Sequence, residues 1–174
     1  MPRTIRNKAL RKKTRHPNIC REFDDSPLAA CAKGSLEALP GRDREVFFDP
    51  QSATCSVFFD ECIKHLEQDA TRWDYLIVAT AQDRMVVAVE VHEGTAKEIP
   101  KVVEKKQWTE DWLARECPAA LPMVWRWVAP QGVSFQRGGQ YAKRLAVNGI
   151  RFPERKILLG EGQPPVPQPF FLLR

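Results

Sequence analysis

A chain of 174 residues that is 43% hydrophobic and 28% charged has room for one folded domain with tails and enough apolar side chains for a core. No apolar run approaches the ~18–20 residues of a membrane span. No apolar segment follows the basic start MPRTIRNKALRKKTRHPN, so a soluble cytoplasmic protein without a membrane partner is expected. The formal charge of +5 is uneven: residues 1–16 hold seven basic side chains and no acid, and taking those seven from the 27 leaves 20 against 22 acidic groups, a net of −2. The positive charge belongs to an N-terminal arm, which would gain most beside a polyanion by releasing condensed counterions. Arg11, Lys12, Lys13 and Arg15 are its candidate nucleic-acid contacts, and a solubilising tail is the plainer reading of the same residues.

Cys20, Cys31, Cys55, Cys62 and Cys117 are odd in number and form no C-x-x-C pair, and His16, His65 and His92 lack finger-like spacing. Buried free thiols are expected, rather than a zinc site or a disulfide framework. Residues 1–45, broken by Pro17, Pro27, Gly34, Pro40 and Gly41, read as a basic, largely irregular arm with a short helix around Pro27–Lys33. Residues 159–174 read as an extended Pro-rich tail whose apolar end, Phe170 to Leu173, suits docking on the domain or on a protein partner.

The organised part is 46–158. Glu45–Phe48 is a candidate strand. Ser52 or Thr54 caps a helix expected to reach about Gln68, with Phe58, Cys62 and Leu66 on one stripe. The apolar run from Trp73 to Thr80 suits a buried strand, Ala81–Arg84 a hairpin turn, and the β-branched Met85–His92 a second strand. A helix starts between Thr95 and Ile99 and runs to Glu116, ahead of Pro118. At about 100° per residue, Ile99, Val102, Val103 and Leu113 share one face while Trp108 and Trp112 point away, forming a second apolar face for a partner. Residues 123–128 read as a strand, Tyr141–Asn148 as a helix closed by Gly149, and Arg155–Leu159 as an edge strand. The fold class is α/β, with a mixed central sheet flanked by helices.

Chemistry concentrates on that hairpin. Asp74 opens its first strand and Glu90-Val91-His92 ends its second. Alternation puts Glu90 and His92 on one face, and an antiparallel partner brings Asp74 beside them. Acids at the ends of buried strands need a partner or a metal to offset desolvation. Two carboxylates with backbone carbonyls make a hard-cation site for Mg2+ or Mn2+. The plainer readings are a turn residue at Asp74 and a surface pair at Glu90 and His92.

Over about residues 52–130, these residues and the order of elements resemble the PD-(D/E)XK nuclease superfamily. The resemblance implies a restriction-endonuclease-like α-β-β-β-α-β core, with Asp74 and Glu90 as catalytic metal ligands and Glu61, on the preceding helix, as an extra acid. His92 stands at the family's lysine position, and Trp73 stands where proline commonly precedes the aspartate. The family's lysine offsets developing phosphate charge, whereas an imidazole at His92 offers a general base. Lys106 on the crossover helix is the candidate substitute cation, and an i,i+4 pair with Glu110 is its plainer reading.

A second basic cluster includes Arg137, Lys143, Arg144 and Arg151, close to Gly138-Gly139, and suits phosphate contacts. Three functions fit. The favoured expectation is a nucleic-acid-associated, nuclease-like module with weakened or lost catalysis, binding partners through Trp108 and Trp112 or the tail. The second is an active Mg2+- or Mn2+-dependent nuclease using His92 or Lys106, and the third a plain RNA- or DNA-binding subunit relying on its arm.

Overall fold

The computed structural model describes residues 20–80, 85–117 and 122–160. The arm residues Arg11, Lys12, Lys13 and Arg15, the turn at 81–84 and the tail from 161 onward lie outside the described residues. A six-stranded mixed sheet forms the centre, its strands side by side in chain order: β1 (Lys33–Gly34), β2 (Ala53–Phe58), β3 (Tyr75–Ala79), β4 (Met85–Val91), β5 (Met123–Val128) and β6 (Ile150–Glu154). The first four form an antiparallel meander, and β5 and β6 then run parallel to β4. Parallel neighbours need crossovers, supplied here by helix α3 (Ile99–Glu116) and helix α4 (Gln140–Val147). Two short helices precede them, α1 (Gly41–Arg44) and α2 (Phe59–Ile63).

Burial explains this order. β3 is buried at every position and β4 at all but its last, as apolar runs covered on both faces must be. One face packs Leu76, Val78, Ala88, Trp125 and Trp127 against α3 and α4. The other packs Ile77, Val87, Val89 and Val128 against Leu39, Phe47 and Ile157. β6 pairs with β5 alone and contains Pro153, whose missing N–H suits a sheet edge. No helix among the described residues is long and apolar enough to cross a membrane.

Several sequence expectations are corrected. The helix expected from Ser52 or Thr54 to Gln68 is instead strand β2 followed by the five-residue α2. Ala53, Cys55 and Val57 are buried at alternate positions, and pairing with β3 overrides the helical stripe. Phe47, in the candidate first strand, makes a single bridge to Ile157, and the edge strand is Ile150–Glu154 rather than Arg155–Leu159. Residues 20–45, assigned by sequence to the arm, bury Phe23, Leu28, Leu36 and Leu39.

Trp112 does not face a partner. It lies in the core with Ile99, Val102 and Leu113, edge-on to Phe59 at 5.3 Å, and Trp108 is half-buried against the same cluster. Thr109 and Lys105 interrupt the apolar pattern. At about 100° per residue, Trp112, Lys105, Thr109, Val102 and Leu113 follow one another across about 100° of a single buried face.

The cysteines are also corrected. Cys20–Cys55 and Cys31–Cys62 are disulfides, leaving Cys117 as the free thiol among the described residues. Both bonds tie the 20–31 segment, with its short turns at Arg21–Phe23 and Pro27–Ala30, onto β2 and α2. They span 35 and 31 residues of sequence, and loops of this size are each stabilised by roughly 2–4 kcal/mol. Alkylating the unfolded, unreduced protein should therefore label Cys117 alone, and reduction should lower the denaturation midpoint. Five labelled cysteines without reductant would contradict the pairing.

Candidate functional site

The antiparallel register of β3 and β4 pairs Tyr75 with Val89, so Asp74 lies beside Glu90 at the next position. Side chains alternate across a strand. Because Val89 belongs to the face opposite α3, Glu90 points toward α3. Asp74 is held from both sides. Its Oδ2 accepts the Val91 N–H at 2.9 Å, and its carbonyl accepts the N–H groups of Phe59 and Asp60 at 2.8 and 3.3 Å. Trp73, fully buried, donates its backbone N–H to Thr109 Oγ1 at 3.1 Å and meets Trp125 edge-on at 5.0 Å.

Into this corner reaches a residue not singled out by the sequence. Lys105 of α3 puts its Nζ 2.5 Å from Glu90 Oε1 and 3.6 Å from Asp74 Oδ1. Those carboxylate oxygens can be no further apart than the two distances laid end to end, 6.1 Å. Lys106, the substitute considered from sequence, instead pairs with Glu110 at 2.5 Å and lies over the Trp125 ring. His92 sits at the rim, its Nδ1 4.0 Å from Glu98 Oε2. Glu61 is half-exposed and pairs with Lys64 at 3.1 Å. The helix acid within electrostatic reach of Asp74 and Lys105 is its neighbour Asp60, which accepts from Arg72 Nε at 2.7 Å.

Neither a protein-family model, nor a curated protein, nor a solved structure matches this chain.

Glu90 is 1% exposed, and its Oε2 is buried without a hydrogen bond of ordinary geometry. Burial, then the charge of Asp74, push its pKa up to about 8, and Lys105 and the Asp74 backbone N–H hold back only part of the shift. Burial likewise raises Asp74, against the pull of Lys105 and the Val91 N–H. Lys105 is drawn down by burial, but the Glu90 and Asp74 carboxylates outweigh it and its pKa is raised. When all three are ionised, two carboxylates face one ammonium, and the cluster lacks one positive charge. The oxygen ligands and the orphaned Oε2 suit a hard divalent cation. Elsewhere among the described residues, Cys20, Glu22 and Cys55 lie close together, but the disulfide removes the thiolates a metal would need.

The basic residues singled out from sequence fall elsewhere. Arg137, Lys143 and Arg151 line a cleft between α4 and β6, while Arg144 is exposed on α4 and is not among that lining.

An acid whose folded pKa is raised binds more protons folded than unfolded, so stability falls as pH rises through that window. For Glu90 the window runs from its ordinary 4.5 to about 8, and Asp74 acts in the same direction. The raised Lys105 pKa acts at higher pH, where its contribution is lost above the ordinary lysine value. In metal-free buffer, unfolding free energy should drop between pH 5 and pH 8, and Glu90→Gln should reduce that drop by more than about 1 kcal/mol. Equal drops in denaturant titrations of both proteins would contradict the shift.

Proposed function

We propose that this chain is a divalent-metal-dependent nuclease of PD-(D/E)XK type, in which Lys105 takes the part of the lysine that the strand lacks. The observation that carries this reading is the meeting of Asp74, Glu90 and Lys105 at one corner of the sheet. The order of elements agrees with it, a three-stranded meander β2–β4 followed by crossover helix α3 and parallel strand β5. A long helix before the meander, which the family core would carry, has no counterpart there among the described residues, where α1 spans four residues.

Asp74 and Glu90 would hold Mg2+ or Mn2+, which would supply Lewis-acid stabilisation of phosphoryl charge. Lys105 keeps its proton at Nζ and would present a positive charge to the developing phosphorane oxygens. Trp73, next to Asp74 in the chain, is buried edge-on against Trp125. The sequence favoured lost catalysis because its strand cation was missing, and Lys105 removes that ground. A second reading, a catalytically silent binding module, is favoured by one feature: Glu90 is almost wholly buried and already bound to Lys105. The two disulfides favour an oxidising location over the cytoplasm.

Supercoiled plasmid and a labelled oligonucleotide, each with Mn2+, test the reading. Wild type should cleave and Glu90→Ala should not. Lys105→Ala should lower kcat by about 10²–10³-fold, while Lys106→Ala and His92→Ala should stay near wild type. Wild type that retains the oligonucleotide but cuts nothing with Mn2+ would establish the silent module instead.

A further inference from the structure

We propose a second, metal-independent site, a groove for single-stranded nucleic acid that wraps around the β6 edge of the sheet. It rests on the nuclease reading for its ligand class alone and uses none of Asp74, Glu90 or Lys105. Two open clefts, of about 760 and 540 Å³, meet there, and Arg126 and Glu154 line both. The first adds Arg137, Lys143 and Arg151, and the second adds Arg155, Lys156 and Phe48.

Charge gives the first argument. Six cationic side chains line the joined clefts, and among the described lining residues Glu154 is the one acid. Glu154 already accepts from Arg126 at 3.0 Å and from Arg137 at 3.4 Å. Arg126 and Arg151 are direct partners in the β5–β6 register, so they share a face of the sheet. Both also make other contacts within the protein, and a string of phosphates passing along this edge would meet them as neighbouring cations.

Ring placement gives the second. Phe48 is 65% exposed, with Lys156 Nζ 5.8 Å from its ring centre. The Arg137 guanidinium lies 4.7 Å from the Phe152 ring in the first cleft. Cations alternating with rings match phosphates alternating with bases, and a base can stack on Phe48 when it is unpaired. An acidic peptide satisfies the cations but leaves Phe48 uncovered.

The groove is not an extension of the metal corner. Arg126 pairs with Val89 and Glu90 with Trp127, so Arg126 and Glu90 face opposite sides of the sheet. The groove therefore holds a strand at a distance from any cutting site.

Fluorescence anisotropy of labelled (dT)12 with the full chain, in EDTA so that nothing is cleaved, tests this directly. Lys143→Glu and Lys156→Glu should each weaken binding at least tenfold and flatten its salt dependence. Phe48→Ala should weaken it about tenfold. All three residues are exposed, so melting temperatures should match wild type, and the arm's contribution is common to every variant. Unchanged affinity in the three variants would overturn the proposal. So would equal affinity for a 12-base-pair duplex, or equal competition by poly-glutamate. Failure of cleavage with Mn2+ alongside intact, variant-sensitive (dT)12 binding would defeat the nuclease reading and leave the groove standing. A matching RNA 12-mer separates RNA from DNA as the preferred strand.

Discussion

A carboxylate cannot leave water on a central strand unless a proton or a positive charge goes with it. Glu90 is placed under that constraint by its neighbours: β4 lies between β3 and β5, and α3 covers the face toward which it points. Lys105 answers it in part, and Asp74, brought alongside by the antiparallel register, makes the demand for positive charge larger. The position of α3, the burial of Trp73 and the anchoring of Asp74 by Val91 all converge on this corner. With all three groups ionised, two acids and one ammonium leave the corner short of one positive charge, and a proton on Glu90 or the proposed cation would supply it.

The hairpin and its two acids were legible because the cue is local: two short apolar runs, each carrying one acid at its end away from the connection between them. The crossover helix was legible in extent but misread in orientation. Val102, Lys105, Thr109, Trp112 and Leu113 follow the 3-4 spacing of a buried stripe, and a lysine and a threonine within it made one face look like two. A charged residue on a buried stripe was itself the sign of an acid opposite.

Strand β2 and the disulfides failed for a different reason. Ala53 to Phe58 is polar enough to resemble a helix start, and its strand state depends on pairing with β3, which no local pattern announces. Cysteine pairing is likewise a property of the closed fold: Cys20 and Cys31 meet Cys55 and Cys62 only after the leading segment lies down on β2 and α2. The same segment packs Phe23 and Leu28 into the core on the face of the sheet toward which Glu90 points, so the covalent ties and the candidate site share one core.

The central claim is that Asp74 and Glu90 form a cation site which Lys105 guards. Anomalous diffraction from crystals soaked in Mn2+ tests it most directly. The account predicts one peak with oxygens of both carboxylates at about 2.0–2.6 Å and Lys105 Nζ moved off Glu90 Oε1. No peak at that corner at saturating Mn2+, with Lys105 still seated between the two acids, would contradict it.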